Sequence, residues 1–293
     1  MPGSSILNAL TIDVEDYFQV TAFSGVIKRA DWNWYPLRVE HNTNRLLDLL
    51  DRFSVKATFF CLGWIAERTP GLVRGILNRG HEIASHGYGH ELVYQIGPER
   101  FREDIRRGKG ILEDITGAKV RGYRAPSYSI TQKSLWALEL LVQEGFCYDS
   151  SIFPVVHDHY GIPDAPRYPH AIDTGTGTIW EFPLTTLEMW TVGRKLRLPI
   201  AGGGYLRLFP SALIAHWMRR INHRDQQPTV LYLHPWEIDT KQPRVHARMK
   251  SRFRHYLNLG STEKKLCNLI NSLPFDTMNR VLTDRFPAFA ARA

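Results

Sequence analysis

Short apolar runs alternate along this chain with longer segments whose apolar residues recur at helical spacing. Ala9 to Asp13 reads as a strand ending at an acidic cluster. Asn42 to Phe53 reads as a helix with Leu46, Leu47, Leu49, Leu50 and Phe53 on one face. Ala57 to Cys61 is the next strand. Thr69-Pro70 opens a helix with proline at its first position, and Gly80 closes it. Glu82 to Ser85 is a strand, Pro98 to Thr116 a helix with a charged outer face, and Val120 to Tyr123 a strand that runs into Arg124-Ala125-Pro126. Thr131 to Glu144 follows as a helix stopped by Gly145. Strands are expected at Phe146 to Asp149, Thr178 to Thr186 and Thr229 to Leu233, with a helix near Ser211 to Ile221.

Repeated β–α units predict an α/β fold with a parallel sheet, open or closed into a barrel. The polar motifs fall at the C-terminal ends of the strands, where such barrels carry their active sites. Asp13, His86, Arg124 and His234 would then converge despite their separation in sequence. Two segments break the rhythm. Val155 to His170 is a loop rich in Pro, His and Asp. Trp190 to Pro210 carries Gly202-Gly203-Gly204, which reads as a tight turn beside a groove, since the spacings of phosphate-binding glycine motifs are missing. Residues 1–238 form the expected barrel. Residues 239–293 read as a basic, partly helical extension packed on it, with a helix around Thr262 to Leu273.

Composition adds limits. At 43% hydrophobic and 23% charged over 293 residues, the chain can bury a large core. Its longest apolar stretches, such as Thr229 to Leu233, are strand-sized and far too short to span a bilayer. No charged segment followed by an apolar one precedes the acidic cluster near residue 13, so a cytoplasmic location is expected. Cys61, Cys147 and Cys267 are widely spaced with no CxxC pair, and they read as buried structural thiols. The net charge of +8 favours anionic partners. Six Lys/Arg and no acid lie between Lys241 and Arg254. That run reads as a solvated face, or as a contact for anionic glycan, a lipid-linked pyrophosphate or a membrane surface. No nucleic-acid-binding motif of the usual kinds is found.

The candidate chemistry lies in two clusters. His86 and His90 are four apart in Ser85-His86-Gly87-Tyr88-Gly89-His90, and would meet on one side of a helical turn. Asp13 and Glu15 share one side of a strand, while Asp16 points away unless the chain has already turned. Two imidazoles and a carboxylate occupy one face of a divalent metal and leave positions open for water and substrate.

The order of these motifs is similar to that of the polysaccharide deacetylase family (NodB homology, carbohydrate esterase family 4). The run Ala9 to Asp16, then Ala57-Thr58-Phe59-Phe60, then Ser85 to His90 matches its first part. Arg124-Ala125-Pro126-Ser127, Asp149-Ser150-Ser151 and Leu233-His234-Pro235 look like its later motifs. The segments Asp13 to Phe18, Tyr160 to Pro166, Ala201 to Arg207 and Leu257 to Gly260 resemble a subgroup associated with bacterial exopolysaccharide export loci.

The resemblance implies a distorted (β/α) barrel with fewer than eight full units. It implies Asp13 as catalytic base, His86 and His90 as metal ligands, His234 as catalytic acid and Arg124 as the residue that orients the base. It also implies that Leu233 helps shape the pocket for the acetyl methyl. Val14 stands where most members carry a second aspartate. Some members use an acid two residues after the base instead, so the resemblance implies Glu15 as the third ligand, with Asp16 as its substitute. The implied reaction is hydrolysis of an N-acetyl group on a sugar polymer or its lipid-linked precursor, with Zn2+ expected and Co2+, Ni2+ or Mn2+ as alternatives. The expected partner is an N-acetylated oligo- or polysaccharide. Tyr128, Trp190 and Tyr205 are candidate sugar contacts, and Trp180 and Trp236 are expected in the core or groove wall. His41, His81, His216 and His223 read as surface or capping residues, and His157 and His159 as structural members of the Pro-rich loop. Two other readings stay open: a catalytically inactive glycan-binding protein, and a cyclic-amide hydrolase on the same barrel.

Overall fold

The structure, a computed structural model, describes residues 6–158, 160–191, 194–200 and 202–291, without the side chains of residues 190, 191, 194 and 195. Its strands in chain order are β1 (Asn8–Val14), β2 (Thr58–Cys61), β3 (Glu82–Ser85), β4 (Gly122–Tyr123), β5 (Tyr148–Asp149), β6 (His170–Asp173), β7 (Thr178–Glu181), β8 (Thr186–Thr191), β9 (Arg194–Pro199), β10 (Val230–Leu233) and β11 (Phe275–Asp276). The main sheet runs β10-β1-β2-β3-β4-β5-β7-β6, with β11 also on β1. Its pairs are parallel except β6 with β7. The sheet curls into a half barrel. Thr185 links the chain beyond β7 to β10: its hydroxyl donates to the Val230 carbonyl at 3.0 Å and accepts from the Val230 amide at 2.7 Å.

β1 is buried along its whole length, as expected of a parallel strand covered on both faces. Strand alternation divides it. Leu10, Ile12 and Val14 join the larger core beneath the helices, while Ala9 joins an inner cluster with Phe60, Ala84, Tyr148 and Tyr232. Thr11 and Asp13 share Ala9's parity and so point into the concave side.

The outer layer is built by α1 (Val39–Arg52), α2 (Gly63–Arg68), α3 (Pro70–Asn78), α4 (Val93–Thr116) and α5 (Trp136–Gln143). Leu46, Leu50, Ile76, Phe101, Ile105 and Leu141 from these helices are fully buried in the larger core. Within α4, Gly97 has φ 73° and breaks the helix, so the regular part begins at Pro98 as the sequence predicts. The chain continues through α6 (Gly204–Leu208), α7 (Ser211–Arg220), α8 (Met249–Tyr256), α9 (Leu259–Ser272), α10 (Met278–Arg285) and α11 (Pro287–Ala290). The last two close the N-terminal end of the half barrel. Met278, Val281, Leu282 and Phe289 complete the inner cluster, and the Met278 amide donates to Thr58 Oγ1 at 2.7 Å. The site therefore has only the opposite, C-terminal end of the strands available.

Several expectations need correction. The helix expected from Thr131 begins only at Trp136, because Ser134 Oγ accepts from the Thr131 amide and donates to the Ser129 carbonyl, fixing a turn there. The single strand expected over Thr178 to Thr186 is two: β7 ends at Glu181, and β8 starts a separate antiparallel hairpin with β9. β6, β8, β9 and β11 were not anticipated. His81 is buried rather than at the surface, and its Nδ1 accepts from the Ala57 amide at 3.2 Å. His41, His216 and His223 are exposed. Cys61 is buried, whereas Cys147 and Cys267 are half-buried, and none is in a disulfide. Gly202 does form a tight approach: it bridges to Tyr232, and a Cβ there would lie 1.8 Å from the Tyr232 carbonyl oxygen.

Candidate active site

Asp13, near the end of β1, is buried, and its Oδ1 accepts from Arg124 Nη1 at 2.7 Å. Arg124 follows β4 and has no exposed surface. It also donates to Thr11 Oγ1 (2.8 Å), the Ser150 carbonyl (3.1 Å) and Ser150 Oγ (2.9 Å), and its guanidinium lies over the Phe60 ring at 4.1 Å. With so many contacts the guanidinium cannot swing, and Asp13 Oδ2 is left facing the cavity.

Glu15, His86 and His90 each bring one ligand atom within 4.8 Å of the others. His90 Nε2 lies 2.6 Å from Glu15 Oε2, yet that buried oxygen has no hydrogen-bond partner among the described residues. His86 Nδ1 is 2.8 Å from the Arg124 carbonyl. A carbonyl only accepts, so Nδ1 carries the proton and Nε2 keeps its lone pair for the cavity. Burial pushes His86 down to about 4, toward the neutral form that ligation needs. Burial alone would raise Glu15. The charges of His90 and His234 overcome it and bring the carboxyl down to about 2. Two imidazole nitrogens and a carboxylate oxygen converging within 4.8 Å, with His86 held toward its neutral form, fit a divalent cation.

The two histidines do not meet on a helical turn. Residues 86–90 are an irregular loop, with Gly87 at φ 72° and His90 at φ 52°. Asp104 of α4 pins it by accepting from the amides of Tyr88 and Gly89, both at 2.8 Å. A Cβ on Gly87 would lie 2.5 Å from Asp104 Oδ2. Asp16 is not in the group. Its carboxylate accepts from the amides of Tyr17 (2.8 Å), Arg38 (2.6 Å) and Val39 (2.9 Å), so it caps the N-terminus of α1. The parity that separates it from Glu15 sends it to the helix layer.

His234 follows β10. Its Nδ1 pairs with Glu237 Oε1 at 2.7 Å, and its Nε2 lies 3.5 Å from Glu15 Oε1 and 3.9 Å from Asp13 Oδ2. Glu237 is fully buried and accepts from Arg207 Nε at 2.7 Å. Arg207 also donates Nη1 to the carbonyls of His255 (2.7 Å) and Leu257 (3.0 Å). Burial works against a charged His234, but Glu15, Glu237 and Asp13 outweigh it and hold the ring at about 9. Trp236 stacks between His234 and His255, and its indole N–H donates to Glu15 Oε1 at 3.3 Å.

Trp236, Glu237, Arg207 and His255 escaped the reading of the sequence as working parts. Glu237 had a signal, since an acid three residues beyond the residue preceding Pro235 is a capping-box spacing. Arg207 had none, because its partners are 30 and about 50 residues away.

The substrate candidates divide. Tyr128 lines a cavity of about 200 Å3 with Asp13, Glu15, His86, His90 and His234. Tyr205 lines an adjoining groove of about 520 Å3 with Tyr160, Tyr232 and His234. Leu233 does not reach either. It is fully buried in the outer core with Leu10 and Ile12, because alternation on β10 gives the cavity to Tyr232 and His234. The Trp190 side chain and all of His159 lie outside the described residues. His157 lines the groove and stacks on Tyr160. Trp180 is in the inner core.

Residues 31–144 match the family model described as polysaccharide deacetylase, and residues 150–283 match one described as a domain of unknown function (DUF3473). The chain is 36% identical over 110 residues to the peptidoglycan deacetylase-like protein FGM2 of Gibberella zeae, covering 37% of this chain and 32% of that one. It is 37% identical over 98 residues to a peptidoglycan-N-acetylglucosamine deacetylase of Bacillus cereus, covering 33% and 36%. The match thus spans about a third of the length of these curated relatives. A crystal structure from Mycobacterium smegmatis, assigned provisionally to the polysaccharide deacetylases, aligns over 100% of this chain and 93% of its own with TM-score 0.63 and 22% identity, a likeness of fold. Residues 31–144 are thus similar to polysaccharide deacetylases.

Proposed function

Starting from the polysaccharide deacetylase match over residues 31–144, we propose that this protein is a metal-dependent hydrolase that removes N-acetyl groups from the amino sugars of a bacterial polysaccharide or its lipid-linked precursor. One observation carries the reading. Two braced proton-transfer groups, Asp13 on Arg124 and His234 on Glu237, face each other at 3.9 Å beside the Glu15, His86 and His90 group.

In the proposed reaction water attacks the acetamide carbon, the C–N bond breaks, and acetate and a free amine leave. Asp13 takes the proton from the attacking water through Oδ2, since Oδ1 is committed to Arg124. His234 presents Nε2 because Nδ1 is committed to Glu237, and Nε2 delivers a proton to the leaving nitrogen. Glu15, His86 and His90 would hold a divalent cation, proposed as Zn2+ from the donor set, which would supply Lewis acidity toward the carbonyl and the water. Co2+, Ni2+ and Mn2+ suit the same donors. Tyr128, Tyr160, Tyr205 and Tyr232 offer aromatic walls to sugar rings. The assignment to an exopolysaccharide subgroup draws support from Tyr160, Gly203, Arg207 and Leu257, which come from three of its resembling segments and line the same cavity and groove. The basic stretch from Lys241 to Arg254 suits an anionic partner.

The test is acetate release from N-acetylglucosamine oligosaccharides by protein reconstituted with Zn2+, set against Asp13→Asn. Loss of about 10²–10⁴ in rate with metal stoichiometry unchanged is expected. Full turnover in the variant would overturn the assignment of the base. Oligosaccharide binding without acetate release would support an inactive glycan-binding protein instead, and hydrolysis confined to small cyclic amides would support that alternative.

A further inference from the structure

The inner and outer faces of α8 differ sharply. On the inner face His255 is buried, stacks on Trp236 with ring centroids 4.1 Å apart, and pairs through Nε2 with Gln242 Oε1 at 2.6 Å. Its carbonyl is held by Arg207. The helix is thereby fastened to the residues that brace His234. On the outer face Met249 is 84% exposed and Phe253 65%. Being four apart, they form one apolar stripe. At helical spacing Lys250 and Arg254 flank it on one side, and Arg252, with Arg248 at the helix start, on the other. All four cations are exposed, and none forms an ion pair among the described residues.

Phe253 also forms part of the groove that leads to His234. Leu208, 52% exposed, lines the same groove, and Val156, 86% exposed, precedes its lining residue His157. Exposed apolar side chains thus gather at the mouth of the groove. No helix among the described residues is long and apolar enough to cross a membrane.

We infer that the outer face of α8 docks on an anionic lipid bilayer, with Met249 and Phe253 entering the headgroup boundary between flanking cations. A bilayer is the partner this pattern fits. Its anionic headgroups overlie an apolar layer, so one plane satisfies the cations and the stripe together. A soluble polyanion would satisfy the cations and leave Met249 and Phe253 in water. Docking would set the groove mouth against the lipid. On the deacetylase reading, an amino sugar carried on a membrane lipid could then reach His234 without leaving the surface.

The test is sedimentation of the full chain with phosphatidylcholine vesicles, with and without phosphatidylglycerol, at low and high salt. Binding is expected only with phosphatidylglycerol, and is expected to weaken as salt shortens the Debye length. Lys250→Gln with Arg252→Gln should weaken it roughly 25-fold, from about fivefold per cation. Met249→Ser should weaken it at unchanged net charge. Acetate release from a soluble oligosaccharide should be unaffected in these variants, whose residues lie outside the groove. No binding to anionic vesicles, equal binding to neutral ones, or binding by a soluble polyanion alone would overturn the docking surface. If vesicle binding behaves as stated and no oligosaccharide releases acetate, the docking stands and the proposed activity falls.

Discussion

Arg207→Met tests whether the support of His234 is electrostatic or merely steric. Arg207 is the only cation paired with Glu237 apart from His234 itself among the described residues. Both partners are buried, with Nε to Oε2 at 2.7 Å, and Nη1 also holds the His255 and Leu257 carbonyls. Removing one partner of a buried pair costs about 3–5 kcal/mol when the other charge is stranded, and Glu237 keeps His234 at 2.7 Å, so the low end applies. Each orphaned carbonyl adds about 1–3 kcal/mol where water cannot reach it, and the groove beside Arg207 admits water, so that addition stays small. We expect a loss of about 3 kcal/mol in urea unfolding. Glu237→Gln in the same background removes the charge that Arg207 no longer balances, and its amide oxygen still accepts from His234 Nδ1. The double variant should therefore recover about 2 kcal/mol or more of the loss. Acetate release should fall by roughly 10- to 100-fold in Arg207→Met, with metal content retained, since proton transfer by a misplaced acid loses part of its usual contribution. A loss below about 1 kcal/mol, or additivity of the two substitutions within about 0.5 kcal/mol, would refute the reasoning.

Glu15→Gln should lower metal stoichiometry after dialysis, measured by elemental analysis, whereas Asp16→Ala should leave it unchanged and cost about 1–2 kcal/mol of stability through the lost α1 cap. Metal loss in Asp16→Ala with none in Glu15→Gln would reverse the assignment of the third ligand. Burial, with Lys56 and Arg79 nearby, lowers His81 from 6.5 to about 4. Between those values the unfolded chain binds a proton that the folded chain refuses, so stability falls as pH drops from 6.5 to 4. At about 1.4 kcal/mol per pH unit the effect is on the order of 3 kcal/mol. His81→Asn can keep an acceptor for the Ala57 amide and should flatten the stability profile over that window in denaturant titrations, and an unchanged slope would count against it.

The β–α rhythm and the convergence of Asp13, His86, Arg124 and His234 were legible because strand parity and strand ends are local properties. β1 shows this well. Its alternation predicts that Asp13 and Glu15 share a side, and the structure finds both at the cavity while Asp16 caps α1. The same rule, applied to β10, would have excluded Leu233: Tyr232 and His234 share a parity, and Leu233 falls between them. The histidine loop was harder. Spacing of four suggested a helical turn, but two glycines and the side chain of Asp104, a residue of a later helix, hold an irregular backbone instead.

The bracing of His234 lay beyond sequence reading for a different reason. Glu237 is near in sequence, but Arg207 sits in a short helix after three glycines, and its carbonyl partners lie around α8. That geometry exists only once Gly202 has packed against the Tyr232 backbone, where any side chain would collide. The glycine run thus positions Arg207 by letting two backbones touch. It also explains why the residues beyond β10 bear on the chemistry. They supply the carbonyls that aim Arg207, Arg207 holds Glu237, and Glu237 fixes which nitrogen of His234 faces Asp13.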